Sequence, residues 1–379
     1  MMRIRGRQRF DILLLVAILA LVGIGTVMIY SSSSIIAMER HQDGYYFIKK
    51  HLVIVIIGLT VMAVAAKIPF TFWRAMAYPG IIGTFILLPL LFVPGIGVKA
   101  GGAVRWMKIG GISFHVSEVA KGALILFFAH YLAKKRVHAK EITRFMLVPL
   151  CVTGIAVTLI ALQPDFGTAV IIVAVVLAMF FLAGSRLINI AGVMAAAIPL
   201  GVLMVIRESY RLKRWLAFCN PWEDPLNSGF QIIQSFIAFG SGGAFGMGLG
   251  KGMQKLFYLP EPHTDFILSV IAEEGGFVCV AIVISLYVLV VIRGFMIALR
   301  SEDFFGGLLA TGFTTLIALE AVINMAGVMG LMPTKGLVLP FVSYGGTSLV
   351  VSMGAVGVML NISAANEKHP VIAGNAVEA

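Results

Sequence analysis

The stretch "DILLLVAILALVGIGTVMIY", residues 11–30, decides the fold class, because Asp11 is its only charged residue. An α-helix needs about 20 consecutive apolar residues to cross the ~30 Å hydrocarbon core of a bilayer. The basic residues before it resemble the start of a signal peptide, but no small-residue cleavage site follows, whereas further apolar segments do. We therefore predict a retained first transmembrane helix. The basic residues are Arg3, Arg5, Arg7 and Arg9.

Apolar segments of this kind recur along nearly the whole chain of 379 residues, of which only 12% are charged, whereas soluble domains carry about 25%. We predict an all-α polytopic membrane protein with about ten transmembrane helices. They form a single bundle over residues 1–366, followed by a short cytoplasmic tail at 367–379. The predicted spans are 11–30, 51–67, 75–95, 116–133, 144–162, 167–184, 187–206, 268–292, 305–329 and 344–364.

The distribution of basic residues predicts the topology. If the N-terminal arginines stay in the cytoplasm, alternate connections on that side also carry Lys and Arg, and both termini are cytoplasmic. The net charge of +11 is scattered between apolar segments rather than gathered on a soluble module, so we predict no nucleic-acid partner. The longest connection, about 207–267, lies between helices 7 and 8 on the extracytoplasmic side.

This long loop is rich in aromatic and apolar residues, which argues against disorder and predicts packing against the outer mouth of the bundle. Its segment "FQIIQSFIAF", residues 230–239, suits either an amphipathic interfacial helix or a helix that caps the bundle. The glycines of "GSGGAFGMGLGKG", residues 240–252, do not have the spacing of a nucleotide-binding loop. Hydrolysis of ATP or GTP is therefore disfavoured.

Cations gather on the predicted outer side, where the positive-inside bias disfavours them. An anionic ligand such as a phosphate would compensate for that cost, and we favour this interpretation for Arg105 and Lys121. For the run Arg211, Lys213 and Arg214, pairing with nearby acids or lipid headgroups is slightly favoured. Glu118 lies three residues before Lys121 on a predicted helix, so the two can form an ion pair that is either structural or functional.

Acidic residues at predicted helix starts have two interpretations. Asp165, with Thr168 three residues on, fits an N-terminal cap. Asp265 has the same option, but Pro260 and Pro262 stiffen its approach, as a positioned general base requires.

Three further acids lie deeper in predicted helices. Glu273 and Glu274 are adjacent, so at most one can readily face a shared cavity, and the other should meet a backbone or basic partner. Glu320 and Asn324, four residues apart, are predicted to form a hydrogen-bonded pair inside the bundle. The three cysteines have neither disulfide nor metal-ligand spacing, and no protein metal site is predicted.

Five motifs, in this order, resemble the shape, elongation, division and sporulation (SEDS) family of bacterial membrane proteins. Within the family, residues 230–235 and 254–267 are closer to its cell-division branch, FtsW, than to its elongation branch, RodA. Val104 and Val338 depart from an Arg and a Pro that the family often has at these positions. The motifs are "RW" with "SEVAK" (105–121), "QPDFGTA" (163–169), "NPWEDPLNSGFQIIQSFIAFGSGG" (220–243), "QKLFYLPEPHTDFILSVIAEE" (254–274) and "GLMPTKGLVLPFVSYGGTS" (330–348).

The resemblance implies a peptidoglycan glycosyltransferase that polymerises lipid II at the outer face of the bacterial cytoplasmic (inner) membrane. It also implies a class B penicillin-binding protein as partner, beside other divisome or elongasome membrane proteins. The family's catalytic acid falls on Asp265. The substrate-binding residues that we predict are Arg105, Lys121, Lys335, Glu118, His263 and Ser343.

In this hypothesis Asp265 deprotonates the acceptor's 4-hydroxyl, while Arg105, Lys121 and Lys335 help to bind the pyrophosphate. A divalent cation, Mg²⁺ or Mn²⁺, could share that task. Two alternatives stay open: a flippase for the lipid-linked precursor and a non-catalytic scaffold for a partner synthase. A flippase requires polar residues along a path to both faces, whereas here they crowd at one.

Overall fold

A computed structural model of the chain describes residues 10–100, 103–109, 112–139, 141, 145–254 and 262–366. The predicted tail at 367–379 and Pro260 therefore lie outside the described residues. The helices are α1 (Ile12–His41), α2 (Tyr46–Lys67), α3 (Phe70–Leu90), α4 (Val116–Lys134), α5 (Leu147–Leu162), α6 (Phe166–Leu182), α7 (Leu187–Arg207), α8 (Ser209–Cys219), α9 (Phe230–Gly242), α10 (Ile267–Arg300), α11 (Phe304–Val328) and α12 (Gly346–Asn366).

The helices confirm a polytopic helical membrane protein. Eight of those in the described residues, α1 to α4, α7 and α10 to α12, are long and apolar enough to cross a bilayer. Two more, α5 and α6, are apolar but only 16 and 17 residues long. All ten coincide with predicted spans, while the number of crossings itself stays a prediction.

Burial separates central from peripheral helices. Of the most apolar stretches of α11 and α12, 78% is buried, whereas for α7 the share is 6%. Ile190 is the buried residue of α7. A helix that is apolar on all sides yet so little buried can face lipid. The core therefore lies around α11, α12 and their neighbours, and α7 lies at its edge.

A small antiparallel sheet, which was not predicted, lies between α3 and α4 in the connection between the predicted spans 75–95 and 116–133. Its strands are β1 (Gly97–Ala100), β2 (Ala103–Ile109) and β3 (Ile112–His115), in the order β1-β2-β3. Trp106 pairs with His115 across β2 and β3, and Gly97 pairs with Met107 across β1 and β2. Because β3 runs directly into α4, the sheet ties β2 to the start of that helix.

Acidic side chains begin three of the helices. Asp11 accepts from the backbone N–H of Leu14, and Asp303 accepts from that of Gly306. Asp165 accepts from Thr168, which places it as the N-terminal cap of α6, as predicted. These carboxylates accept from N–H groups that have no partner within the helix. Their negative charge also interacts favourably with the positive end of the helix dipole.

The helix α10 is broken at Gly276, whose φ of 68° and ψ of −171° are not helical. The glycine-rich segment after α9 fills the break. Phe277 and Val278 donate backbone N–H groups to the carbonyls of Gly243 and Ala244, at 2.9 and 3.1 Å. Backbone groups freed at membrane depth need such partners. The glycines of residues 240–252 therefore serve close backbone packing.

The helix α9 packs on the bundle, which fits the capping alternative. Ile232, Ile233 and Ser235 are buried. The Ser235 hydroxyl hydrogen-bonds the Ser269 hydroxyl and donates to the carbonyl of Val328, at 2.8 and 2.6 Å. The long loop thus contains a helix fixed to both α10 and the end of α11.

Candidate functional site

Asp265 lies in the turn that leads into α10 and is half-buried. Gly336, from the loop between α11 and α12, faces its carboxylate: a Cβ built on Gly336 would lie 3.4 Å from Asp265 Oδ2. Gly336 has a φ of +64°, a conformation that residues with side chains rarely adopt. The carboxylate is therefore brought close to the backbone of the loop at 329–345.

The backbone around Asp265 is held by hydrogen bonds from that loop and from α11. Ser343 Oγ donates to the carbonyl of Thr264 at 2.6 Å, and the N–H of Tyr344 donates to that of His263 at 2.9 Å. Asn324 Nδ2 donates to the carbonyl of Asp265 at 2.9 Å. Each of three consecutive carbonyls thus has a partner, and these bonds hold the base candidate in addition to any stiffness from Pro262.

The same loop and α11 form a crevice beside Asp265. Lys335, half-buried, is part of its lining, and burial lowers the pKa of this lysine from its ordinary value of 10.5. A lysine in that condition gains from a bound anion, which favours its charged form. The crevice is lined by Asp265, Phe266, Ile323, Asn324, Thr334, Lys335 and Gly336.

Lys121 has a different environment from Lys335. It is 2% exposed, and its ammonium pairs with Glu118 Oε1 at 2.8 Å and with Glu320 Oε1. The pair with Glu118 was predicted, while that with Glu320 was missed because the two residues lie on different helices. A buried charge with two carboxylate partners has little need of a further anion.

Glu320 and Asn324 are both buried on α11, but each bonds to another element, which corrects the predicted pairing between them. Glu320 binds Lys121 of α4, whereas Asn324 also donates to the carbonyl of Leu337. Residues four apart are neighbours on a helix surface. We call Lys121, Glu118 and Glu320 the buried ion cluster. It therefore lies about one helical turn from Asn324, which binds the backbone carbonyl of Asp265.

Arg105 links the small sheet to the start of α6. Its guanidinium donates to the carbonyls of Gln163, at 3.3 Å, and Pro164. Next to this contact, Ser117 Oγ donates to Asp165 Oδ2 at 3.2 Å. Two carbonyl acceptors leave the positive charge of Arg105 without a carboxylate among the described residues, so it can still attract an anion.

His263 is buried between aromatic rings. Its ring centre lies 4.9 Å from that of Phe47 and 5.6 Å from that of Tyr344. Ser343, as described, uses its hydroxyl on Thr264, and it also accepts from the N–H of Leu339 at 2.9 Å. Both residues border Asp265, and direct contact with substrate stays a prediction for each.

The adjacent acids of α10 are both buried and both occupied. Glu273 accepts from the backbone N–H groups of Met253 and Gln254, at 2.7 and 3.2 Å, as the sequence predicted for one of the two. Glu274 accepts from Ser31 Oγ at 2.6 Å. These contacts fasten the first part of α10 to the long loop and to α1.

The comparisons with known proteins are decisive on the family. The model of the FtsW, RodA and SpoVE family of cell cycle proteins matches residues 12–368. This chain belongs to that family. The match includes Asp265, Asn324 and the whole described bundle from α1 to α12.

Several curated relatives align with this chain over nearly its full length. One is a probable peptidoglycan glycosyltransferase FtsW of Trichlorobacter lovleyi, 47% identical over 96% of this chain and 95% of the relative. The FtsW of Geobacter sulfurreducens, strain PCA, is 44% identical over 96% and 97%. Stage V sporulation protein E of Bacillus subtilis is 39% identical over 93% and 96%. The similarity to FtsW agrees with the predicted branch.

Solved structures of the family share the fold. A chain from a peptidoglycan synthase complex, studied for its coordination of polymerization and crosslinking, superposes with a TM-score of 0.78 at 28% identity, over 95% of this chain and 99% of that one. The rod shape determining protein RodA of Thermus thermophilus gives 0.70 at 27% identity, over 93% and 96%.

Proposed function

We propose that this chain works as a peptidoglycan glycosyltransferase that polymerises lipid II, with Asp265 as the general base. Peptidoglycan glycosyltransferase is the activity named for the FtsW relatives that match nearly the full length. The assignment of Asp265 as the base is supported by its position: it lies in one crevice with Lys335, and its backbone carbonyl is held by a hydrogen bond from Asn324.

The reaction joins two sugars and releases a pyrophosphate. The acceptor's 4-hydroxyl attacks the anomeric carbon of the donor sugar, its proton passes to Asp265, and the bond between that carbon and the pyrophosphate oxygen breaks. Cations that stabilise the developing charge on the leaving group lower the barrier. Lys335 and Arg105 are the predicted cations whose charges have no carboxylate partner among the described residues, so we assign this role to them first.

Lys121 and Glu118 act through the buried ion cluster in this proposal, and we assign His263 and Ser343, which border Asp265, to the acceptor sugar. For the divalent cation, the described residues contain no group of three His, Cys, Asp or Glu side chains that could hold a metal. Mg²⁺ or Mn²⁺ would need oxygen ligands from the substrate's pyrophosphate.

The difference between the two ends of the bundle supports the orientation that we propose in the membrane. One end carries the ion pairs Arg293–Asp11 and Arg74–Asp303, and the opposite end carries Asp265 and Lys335. We place the first end in the cytoplasm by the positive-inside rule and the Asp265 end at the outer face of the bacterial inner membrane.

The proposed protein partner is a class B penicillin-binding protein, a transpeptidase that crosslinks the glycan, beside other membrane proteins of the divisome or elongasome. Its support is the likeness to a chain from a peptidoglycan synthase complex in which polymerization and crosslinking are coordinated.

The test is polymerisation of lipid II by the purified protein with its cognate partner, for the unchanged chain and for Asp265→Asn. The amide has the same shape but takes no proton, so we expect a fall in rate of about 100-fold or more. A normal rate for Asp265→Asn would overturn the assignment of the base. Lipid scrambling in liposomes without polymerisation would instead favour the flippase.

A further inference from the structure

Three half-buried cations meet at the start of α6. The guanidinium carbon of Arg211, on α8, lies 5.4 Å from the centre of the Phe166 ring. Lys335 Nζ lies 5.9 Å from the same ring centre. Arg214 Nη1, three residues after Arg211 on α8, donates to the carbonyl of Thr334 at 3.0 Å. We call Arg211, Arg214 and Lys335 the cation cluster.

Within the described ranges, the hydrogen-bond and ring partners of the cation cluster are neutral. Arg211 donates to the carbonyl of Met204 at 2.9 Å, and Arg214 lies over the Tyr210 ring at 4.7 Å. A guanidinium carries five N–H donors, so most of these donors stay available. Among the residues that the structure describes, no Asp or Glu forms a salt bridge with a member of the cluster. The slightly favoured pairing of this arginine run with acids is therefore not found there.

Three cations elsewhere in the bundle do have carboxylate partners. Lys121 pairs with two carboxylates, Arg293 pairs with Asp11, and Arg74 pairs with Asp303. Partly buried charges without counter-charges are costly. In the part of the chain that the structure describes, all three charges of the cluster lack a carboxylate partner, and a bound anion would remove this cost.

We propose that Arg211, Arg214 and Lys335 bind the pyrophosphate of the polyprenyl-linked substrate. The inference rests on the proposed function and adds α8 to the site. Arginine presents a planar fork that binds phosphate oxygens in pairs. Lys335 belongs both to the cluster and to the crevice that contains Asp265. A pyrophosphate held by the cluster therefore places the attached sugar carbon at the crevice in which the base lies.

Phospholipid headgroups carry the same phosphate chemistry and are the other source of such an anion. Lys213, exposed on the same helix, provides the comparison, because a headgroup layer would attract it as strongly as its neighbours. Arg211 and Arg214, three residues apart, share one face of α8, whereas Lys213 lies about 100° away from Arg214. A built pyrophosphate site uses the first face alone.

The experiment measures binding without turnover. The full chain, in nanodiscs of phosphatidylcholine, is titrated with undecaprenyl pyrophosphate and, separately, with undecaprenol, which lacks the pyrophosphate. We expect Arg211→Gln and Arg214→Gln each to raise the Kd for undecaprenyl pyrophosphate about tenfold, the effect of one lost charged hydrogen bond. Binding of undecaprenol should not change, and Lys213→Gln should bind both ligands like the unchanged chain. Thermal melting checks that each variant is folded, and Arg214→Lys should retain part of the affinity.

Three results would overturn the proposal. The Kd could stay unchanged in both arginine variants. It could rise equally in Lys213→Gln, which would indicate general attraction. In a parallel titration with nanodiscs that also contain phosphatidylglycerol, the variants could instead bind undecaprenyl pyrophosphate normally and lose only this phospholipid, which would make the phosphate a headgroup. Because the assay involves no proton transfer, failure of Asp265 as the base would leave the outcome intact, and the polymerisation assay tests that assignment separately.

Discussion

Asn324 Nδ2 donates to the backbone carbonyl of Asp265 at 2.9 Å and also to that of Leu337. One side chain of α11 thereby fixes both walls of the crevice, the turn before α10 and the loop between α11 and α12. Asn324 is 6% exposed, so its amide has little access to water and depends on these two carbonyls as acceptors.

The first prediction concerns this amide. Asn324→Asp keeps the shape but replaces the donor by an acceptor that faces two carbonyl oxygens. We expect kcat for lipid II polymerisation to fall about tenfold or more with little change in KM, since misplacing a catalytic group affects the chemical step. Val322→Ala, at an exposed position of the same helix, is the control and should keep normal kinetics. A change confined to KM would contradict the positioning role.

The second prediction concerns the buried ion cluster. Lys121→Met leaves Glu118 and Glu320 without their cation, and breaking a buried pair in this way costs about 3–5 kcal/mol. The midpoint of thermal unfolding in detergent should fall clearly. Adding Glu320→Gln to the same chain should recover part of the loss, because one of the two uncompensated charges is gone. Independent, additive losses in the double variant would show that the two residues do not interact.

The third prediction tests the packing at the break in α10. A Cβ on Gly246 would lie 2.2 Å from the carbonyl oxygen of Glu274, and its φ is +79°. Gly246→Ala should therefore lower the free energy of unfolding by more than the ~1 kcal/mol that a positive φ alone costs a residue with a side chain. Gly240→Ala, whose Cβ meets nothing within 4 Å, should be neutral or slightly stabilising in the helix α9. Equal unfolding midpoints for the two variants would contradict the hypothesis that Gly246 is needed for close backbone packing.

The fourth prediction is a pH dependence of pyrophosphate binding. Burial lowers the pKa of Lys335 below its ordinary value of 10.5, so in the free protein this lysine loses its charge at a lower pH than an exposed lysine. Affinity for undecaprenyl pyrophosphate should be full below the lowered pKa and should weaken as the pH rises through it. Lys335→Arg keeps its charge at all these pH values and should move the loss of affinity to higher pH. Identical pH profiles for the two proteins would show that the charge of Lys335 does not contribute to binding of the pyrophosphate.

The site could be predicted from the sequence where a residue's role depends on its own neighbours along the chain. Asp165 with Thr168 has the spacing of a helix cap, and Glu118 with Lys121 has that of an ion pair on one helix, and both are found. Asn324 also gave a signal, as an amide in an apolar helix. Its partners were misassigned because Asp265 is distant in the chain and Leu337 lies in a loop of irregular shape.

Other parts of the site depended on approaches that no local pattern encodes. By sequence, Arg211 and Arg214 belong to a basic run in the long loop, and only the packing of α8 near Phe166 and Thr334 brings them to Lys335. The small sheet was missed because its strands are short and lie between two long apolar spans.

The sequence alone determined that this chain is a helical membrane protein and where its apolar helices lie, because the length of an apolar run is set directly by the thickness of hydrocarbon it must cross. It also marked Asp265 through its motif. The tertiary structure decided which charges are already neutralised, as at Lys121, and which have no counter-charge among the described residues, as at Arg211 and Lys335. That difference depends on distances between separate helices, which a pattern along one chain does not contain.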